Sequence, residues 1–151
     1  GAGAERLAWA TSQQYAERLV SADTGGAAVI QLDLLNWEFV FKGRPSAATF
    51  AERLAEEEGF DAPGDYRAAA RPLTIEGAPG FLALFERDGR HCLAGQLWLR
   101  RNLGDNLARY NASLLAWACR DEAYDLPGAQ AFLTAIQVTA TRYDGRGLPD
   151  D

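Results

Sequence analysis

The sequence predicts a single-domain α+β protein. Its antiparallel β-sheet is expected to have a central hairpin at 81–99, packed against helices at about 4–21, 46–58 and 105–122. Three observations lead there. The chain has 151 residues, 48% of them apolar and 24% charged, which fits one globular domain spanning 1–151. Two apolar runs flank Asp88-Gly89, a dipeptide suited to a two-residue hairpin turn because both positions need positive φ. Three further stretches carry apolar residues at helical spacing.

Taken in order, residues 4–21 place Leu7, Thr11, Tyr15 and Leu19 at steps of four, a helix signal ended by "SADTGG" at 21–26. The segment 27–42, "AAVIQLDLLNWEFVFK", reads as β-like but long for one strand, with a bend, bulge or turn around Asp33 to Asn36; one face would carry Trp37, Phe39 and Phe41. Ser46 is placed to cap a helix with Ala47, Phe50, Ala51 and Leu54 inward, and Gly59 to stop it in a left-handed conformation. The run Glu56 to Glu58 reads as the solvated end of that helix, contributing solubility more than stability. Residues 61–72 read as a loop with one short helical turn, and 73–76 as a strand.

In "FLALFERDGRHCLAGQLWL", Arg87 should oppose Arg90, Glu86 His91, and Phe85 Cys92. Leu82, Leu84, Leu93, Leu97 and Leu99 fall on one face. Phe81, Phe85, Cys92 and Trp98 fall on the other. Apolar residues on both faces mark a strand pair deep in a layered sheet or at an interface. Asp105 is a candidate N-cap for "NLARYNASLLAWACRDEA", whose spacing predicts a core helix containing Cys119. Near the end, 128–143 fits helix to about residue 135 and strand after it.

The functional signals are sparse. A net charge of −6 and a pI near 4.8 argue against a nucleic-acid partner, since phosphate tracking needs clustered Lys and Arg. No apolar run is long enough for a membrane span. Lys42 is the sole lysine, which suits a GC-rich, bacterial source, and the absence of Met implies a trimmed or processed chain. Cys92 and Cys119 are expected to be reduced and buried, as in a cytoplasmic protein. His91 and Cys92 are neighbours on one strand, so their side chains diverge and cannot form a nucleophile pair. With one histidine there is no ready metal site, and neither a phosphate-binding glycine loop nor a nucleophile elbow is present. The sequence therefore predicts no catalytic residue, no metal and no cofactor. A carboxylate pair such as Asp33 with Glu38 is better explained by solvation.

The stretch "GFLALFERDGRHCLAGQLWLRRNLGDNLARYNASLLAWA", with the order helix, strands, helix, hairpin, helix, resembles class I type III secretion chaperones. That resemblance implies a dimeric, non-enzymatic protein holding an extended client on apolar patches. The tail "RYDGRG" is similar to the Tyr-Asp-Gly-Trp-Gly ending of protein regulators of ribonuclease E, with Arg146 where that pattern has Trp. Together these lead to a protein-binding domain acting as a chaperone, an immunity-type inhibitor or a regulator. Trp37, Phe39, Phe41 and Trp98 are its candidate partner-binding residues, and a homodimer is one expected assembly. The competing expectation is a small-molecule-binding or hydrolytic domain. Its mark would be a cleft lined by convergent Asp or Glu with Trp37 or Trp98 at the wall.

Overall fold

The structure is a computed structural model that describes residues 5–23, 26–36, 39–41, 44–57, 59–60, 63–101, 109–138 and 145. Its centre is a seven-stranded, wholly antiparallel sheet in the order β1-β2-β3-β7-β6-β5-β4. The strands are β1 (Glu5–Ala10), β2 (Gln14–Asp23), β3 (Gly26–Leu35), β4 (Arg71–Ile75), β5 (Ala78–Arg87), β6 (Arg90–Leu99) and β7 (Ala112–Arg120). Two meanders, β1–β3 and β4–β7, meet where β7 pairs with β3. Helices α1 (Ala47–Ala55) and α2 (Pro63–Ala69) connect the meanders, and α3 (Leu126–Thr134) follows the last strand. Mixed α+β character is as expected, but the sheet is far larger than a hairpin with companions.

Several local readings hold for the expected physical reasons. Ser46 accepts a hydrogen bond from the Thr49 backbone N–H while Thr49 Oγ1 accepts from the Ser46 N–H, closing a capping box on α1. Phe50, Ala51 and Leu54 are the buried face of α1, and Gly59 has φ +82°. Asp88 and Gly89 have φ of 51° and 76°, and the hairpin pairs Arg87 with Arg90, Glu86 with His91 and Phe85 with Cys92. The short helical turn after residue 61 is the helix α2, and α3 ends at Thr134 near the expected position.

Five expectations are overturned in whole or in part. The helix expected at 4–21 is not formed over the described residues 5–21; β1 and β2 occupy them, turning at 11–13 where Thr11 Oγ1 accepts from the Gln13 and Gln14 N–H groups. The helix expected at 105–122 is replaced over 112–120 by β7, inserted between β3 and β6 and buried on both faces; 102–108 lie outside the described residues. The segment 27–42 breaks where expected, β3 ending at Leu35 and the Phe39 N–H donating to the Asn36 carbonyl, but Phe39 and Phe41 do not resume a strand. Cys92 and Cys119 are not reduced. They are register partners on β6 and β7 and are joined by a disulfide, because both side chains leave the same face of adjacent strands. The strand expected after 135 is not formed over 136–138, and the rest of it falls outside the described residues.

The sheet separates two cores. On one face α1, Phe60 and α2 cover Val29, Ala83, Cys92, Ala94, Leu115, Trp117 and Cys119. On the other, Ala129 and Leu133 of α3 pack on Leu82, Leu93, Ala116 and Ala118. The hairpin faces divide as the alternation predicts, leucines toward α3 and Phe81, Phe85, Cys92 and Trp98 toward α1 and α2. Gly95 makes the α3 contact possible, since a Cβ there would stand 2.5 Å from Leu133 Cδ1.

Candidate ligand-binding cleft

Pairing register sets up the cleft. On the α1 side of the sheet, Ala16, Asp33, Ser113 and Trp98 stand in one row across β2, β3, β7 and β6, and Arg18, Gln31, Leu115 and Gln96 form the next. Two-residue periodicity thus places six polar or aromatic side chains on one floor. The helix α1 covers the far end of this floor and leaves the near end open. There a cleft of about 630 Å³ is bounded by Trp9, Phe41, Trp98 and Tyr110, with Asp33, Gln31, Gln96 and Ser113 below and Arg53, Glu56 and Glu57 at the α1 side. Its volume suits a small organic molecule.

Glu57 anchors the helix side. Far from being a solvated helix end, it is 7% exposed. Arg18 grips it with two nitrogens, at 2.8 Å to Oε1 and 3.2 Å to Oε2. Arg53 donates to Oε2 at 3.1 Å, and the Trp117 indole N–H to Oε1 at 3.0 Å. Burial works to raise its pKa, but the hydrogen bonds from Arg18, Trp117 and Arg53 together prevail and hold it below the ordinary value. With both oxygens engaged, Glu57 is a structural anion with little capacity left for a substrate.

Asp33 lies in a different environment. Arg18 Nη1 donates to Gln31 Oε1 at 2.8 Å, and Gln31 Nε2 passes the polarity on to Asp33 at 3.0 and 3.2 Å. Gln14 Nε2 adds a bond at 2.8 Å. Among the described residues no cation lies within ion-pair distance of Asp33. Burial, opposed by the Gln31 bond and the more distant Arg53 charge, raises its pKa. Two carboxylates pushed in opposite directions resemble an acid/base pair, yet the saturation of Glu57 argues for binding over bond cleavage.

Gln96 is 5% exposed, and its Nε2 donates to Ser113 Oγ at 3.1 Å. Its Oε1 is buried and has no hydrogen-bond partner among the described residues. With Nε2 committed to Ser113 Oγ, the amide position left open is its oxygen, which can only accept. Such a group costs about 1–3 kcal/mol unless something completes it.

Of the sequence-proposed site residues, Phe41 and Trp98 come together as cleft walls, Trp98 with its ring edge-on to Phe81. Phe39 is 42% exposed outside the cleft, and Trp37 and Glu38 lie outside the described residues. His91 sits at the surface end of β6 with Nδ1 3.5 Å from Glu86 Oε1, while Cys92 points toward α1 and α2 and is bridged. Gln14, Gln31, Glu57, Gln96 and Ser113 were not anticipated. The available signal was their spacing: Gln31 with Asp33, and Gln96 with Trp98, put polar and aromatic groups two apart inside otherwise apolar strands.

Fold and cleft define an antiparallel-sheet α+β protein with a half-covered polar floor. The protein-family models, the curated proteins and the solved structures contain no match to this chain. Among the described residues, no helix is long and apolar enough to cross a membrane.

Proposed function

We propose that this protein is a small-molecule-binding domain whose ligand occupies the cleft between α1 and the β2-β3-β7-β6 floor. One observation carries the reading: Gln96, whose buried Oε1 has no partner among the described residues, lines a 630 Å³ cleft that also holds Asp33. Native proteins rarely leave a buried polar atom without a partner, and aromatic walls around a few fixed polar groups are the usual composition of a ligand pocket. The Cys92–Cys119 bridge supports an oxidising compartment for this activity in place of the cytoplasm expected from sequence. The test is an NMR screen of small polar metabolites against isotope-labelled protein. Shifts should concentrate at the Gln96 amide, Ser113 and the Trp98 indole, and Trp98→Ala should abolish them. A screen that moves none of these signals at millimolar ligand would refute the proposal.

Protein binding is the second reading, supported by a separate feature. β1 is an open sheet edge, and Leu7 and Trp9 are 55% and 44% exposed on it. An exposed apolar edge is suited to a partner strand. Light scattering with a candidate partner tests it. Leu7→Lys should break the complex, and a strict monomer with every candidate would count against this reading.

A further inference from the structure

We infer that the ligand is an organic ammonium compound carrying a second hydrogen-bond donor, its cationic end at Asp33 and its donor at Gln96 Oε1. This inference rests on the cleft reading above and specifies its chemistry.

The charges inside the cleft support it. Arg18 and Arg53 are committed to Glu57, with Arg53 also 3.5 Å from Glu56. Arg44 is exposed at the mouth. On the floor, the donors to Asp33 among the described residues are the amides of Gln14 and Gln31. A largely buried carboxylate solvated by neutral amides is stabilised when a cation arrives, because a charge-assisted bond is about twice as strong as a neutral one. An anionic ligand would have to meet the Asp33 charge on the floor, with Arg44 at the mouth as the one lining arginine outside the Glu57 cluster. A neutral ligand would leave it as it is.

The walls favour the same class. Trp9, Phe41, Trp98 and Tyr110 border the cleft, and aromatic faces attract an ammonium through their quadrupoles. Gln96 Oε1 can only accept, so it asks for an N–H or O–H. Asp33 and Gln96 stand two strands apart, with β7 between them, and two residues out of row. Two inter-strand spacings amount to about 10 Å. The cation and the second donor therefore belong at opposite ends of the ligand.

Calorimetry with three probes separates the features. Tyramine has both groups, phenethylamine lacks the second donor, and 4-ethylphenol lacks the cation. Tyramine should bind tightest, with each deletion weakening binding about tenfold. Asp33→Asn should weaken both amines about tenfold and leave 4-ethylphenol unchanged. Gln96→Leu should erase the difference between tyramine and phenethylamine. Equal binding of tyramine and 4-ethylphenol to the unaltered protein would overturn the inference, and that comparison needs no variant to fold. Should glucose bind in the cleft while the amines do not, the inference falls and the cleft reading stands. If no probe and no screened metabolite binds, both fall.

Discussion

Asp33 and Glu57 illustrate how two carboxylates in one cleft acquire opposite characters from their partners. Removing the Glu57 carboxylate would leave Arg18 and Arg53 facing each other across a buried space. Glu57→Ala should therefore cost about 3–5 kcal/mol in urea unfolding. The pH signs differ between the two groups. Because the folded state holds Glu57 below 4.5, its contribution is present above that value and lost as pH falls through the lower folded pKa. Because Asp33 is raised above 3.8 by burial, the folded state binds its proton more readily. Its effect on stability becomes less favourable as pH rises from 3.8 through the raised value. Urea melts at several pH values should then show Asp33→Asn gaining on the unaltered protein as pH rises. At neutral pH the gain should be about 1 kcal/mol, with Gln14 or Gln31 rotating to meet the new amide. A variant more stable and unable to bind would mark Asp33 as a group kept for a ligand.

At the scale of elements, the capping box and the hairpin turn allow local tests. Ser46→Ala removes the acceptor for the Thr49 N–H and should destabilise by about 1 kcal/mol in thermal or urea melts. Gly89→Ala puts a Cβ at φ +76°, where nothing crowds it sterically, so its cost of about 1 kcal/mol would be purely conformational. Both features were legible because their causes are local. The two misread helices were not. Leu7, Thr11, Tyr15 and Leu19 recur every four residues, a step that keeps one face of a helix and equally one face of a strand. The structure breaks that series into β1 and β2, with Leu7 on the α1 side of the sheet and Tyr15 and Leu19 on the other. In β7, burial on both faces removes any period that could tell strand from helix.

For the whole molecule, the β3–β7 pairing is decisive, since it joins the two meanders and brings Asp33 opposite Ser113. The disulfide ties β6 to β7 beside that seam. With 27 residues separating the cysteines, chain-entropy arguments put its contribution at about 3.5 kcal/mol. Reduction, or the Cys92→Ala/Cys119→Ala double variant, should lower the thermal midpoint by an amount matching that loss, while tyramine binding survives where the protein stays folded. Gly95→Val would push Leu133 and α3 off the opposite face at a cost of about 1–3 kcal/mol.

The sequence by itself determined what depends on neighbours along the chain. The α+β class, the 88–89 turn with its register, the cap at Ser46, the positive φ of Gly59 (though α1 already ends at Ala55) and the face assignments of the hairpin all follow from local stereochemistry and alternation. It also disclosed Trp98 and Phe41 as unusual aromatics, though not what they enclose. Tertiary structure alone decided the rest. Glu57 reads as surface charge until Arg18, thirty-nine residues earlier, and Trp117, sixty later, close around it. Asp33, Gln96 and Ser113 become a cleft floor only when β3, β7 and β6 lie side by side. Strand neighbours are chosen by long-range pairing that no local pattern encodes, and a binding floor assembled across strands is as non-local as the pairing that creates it.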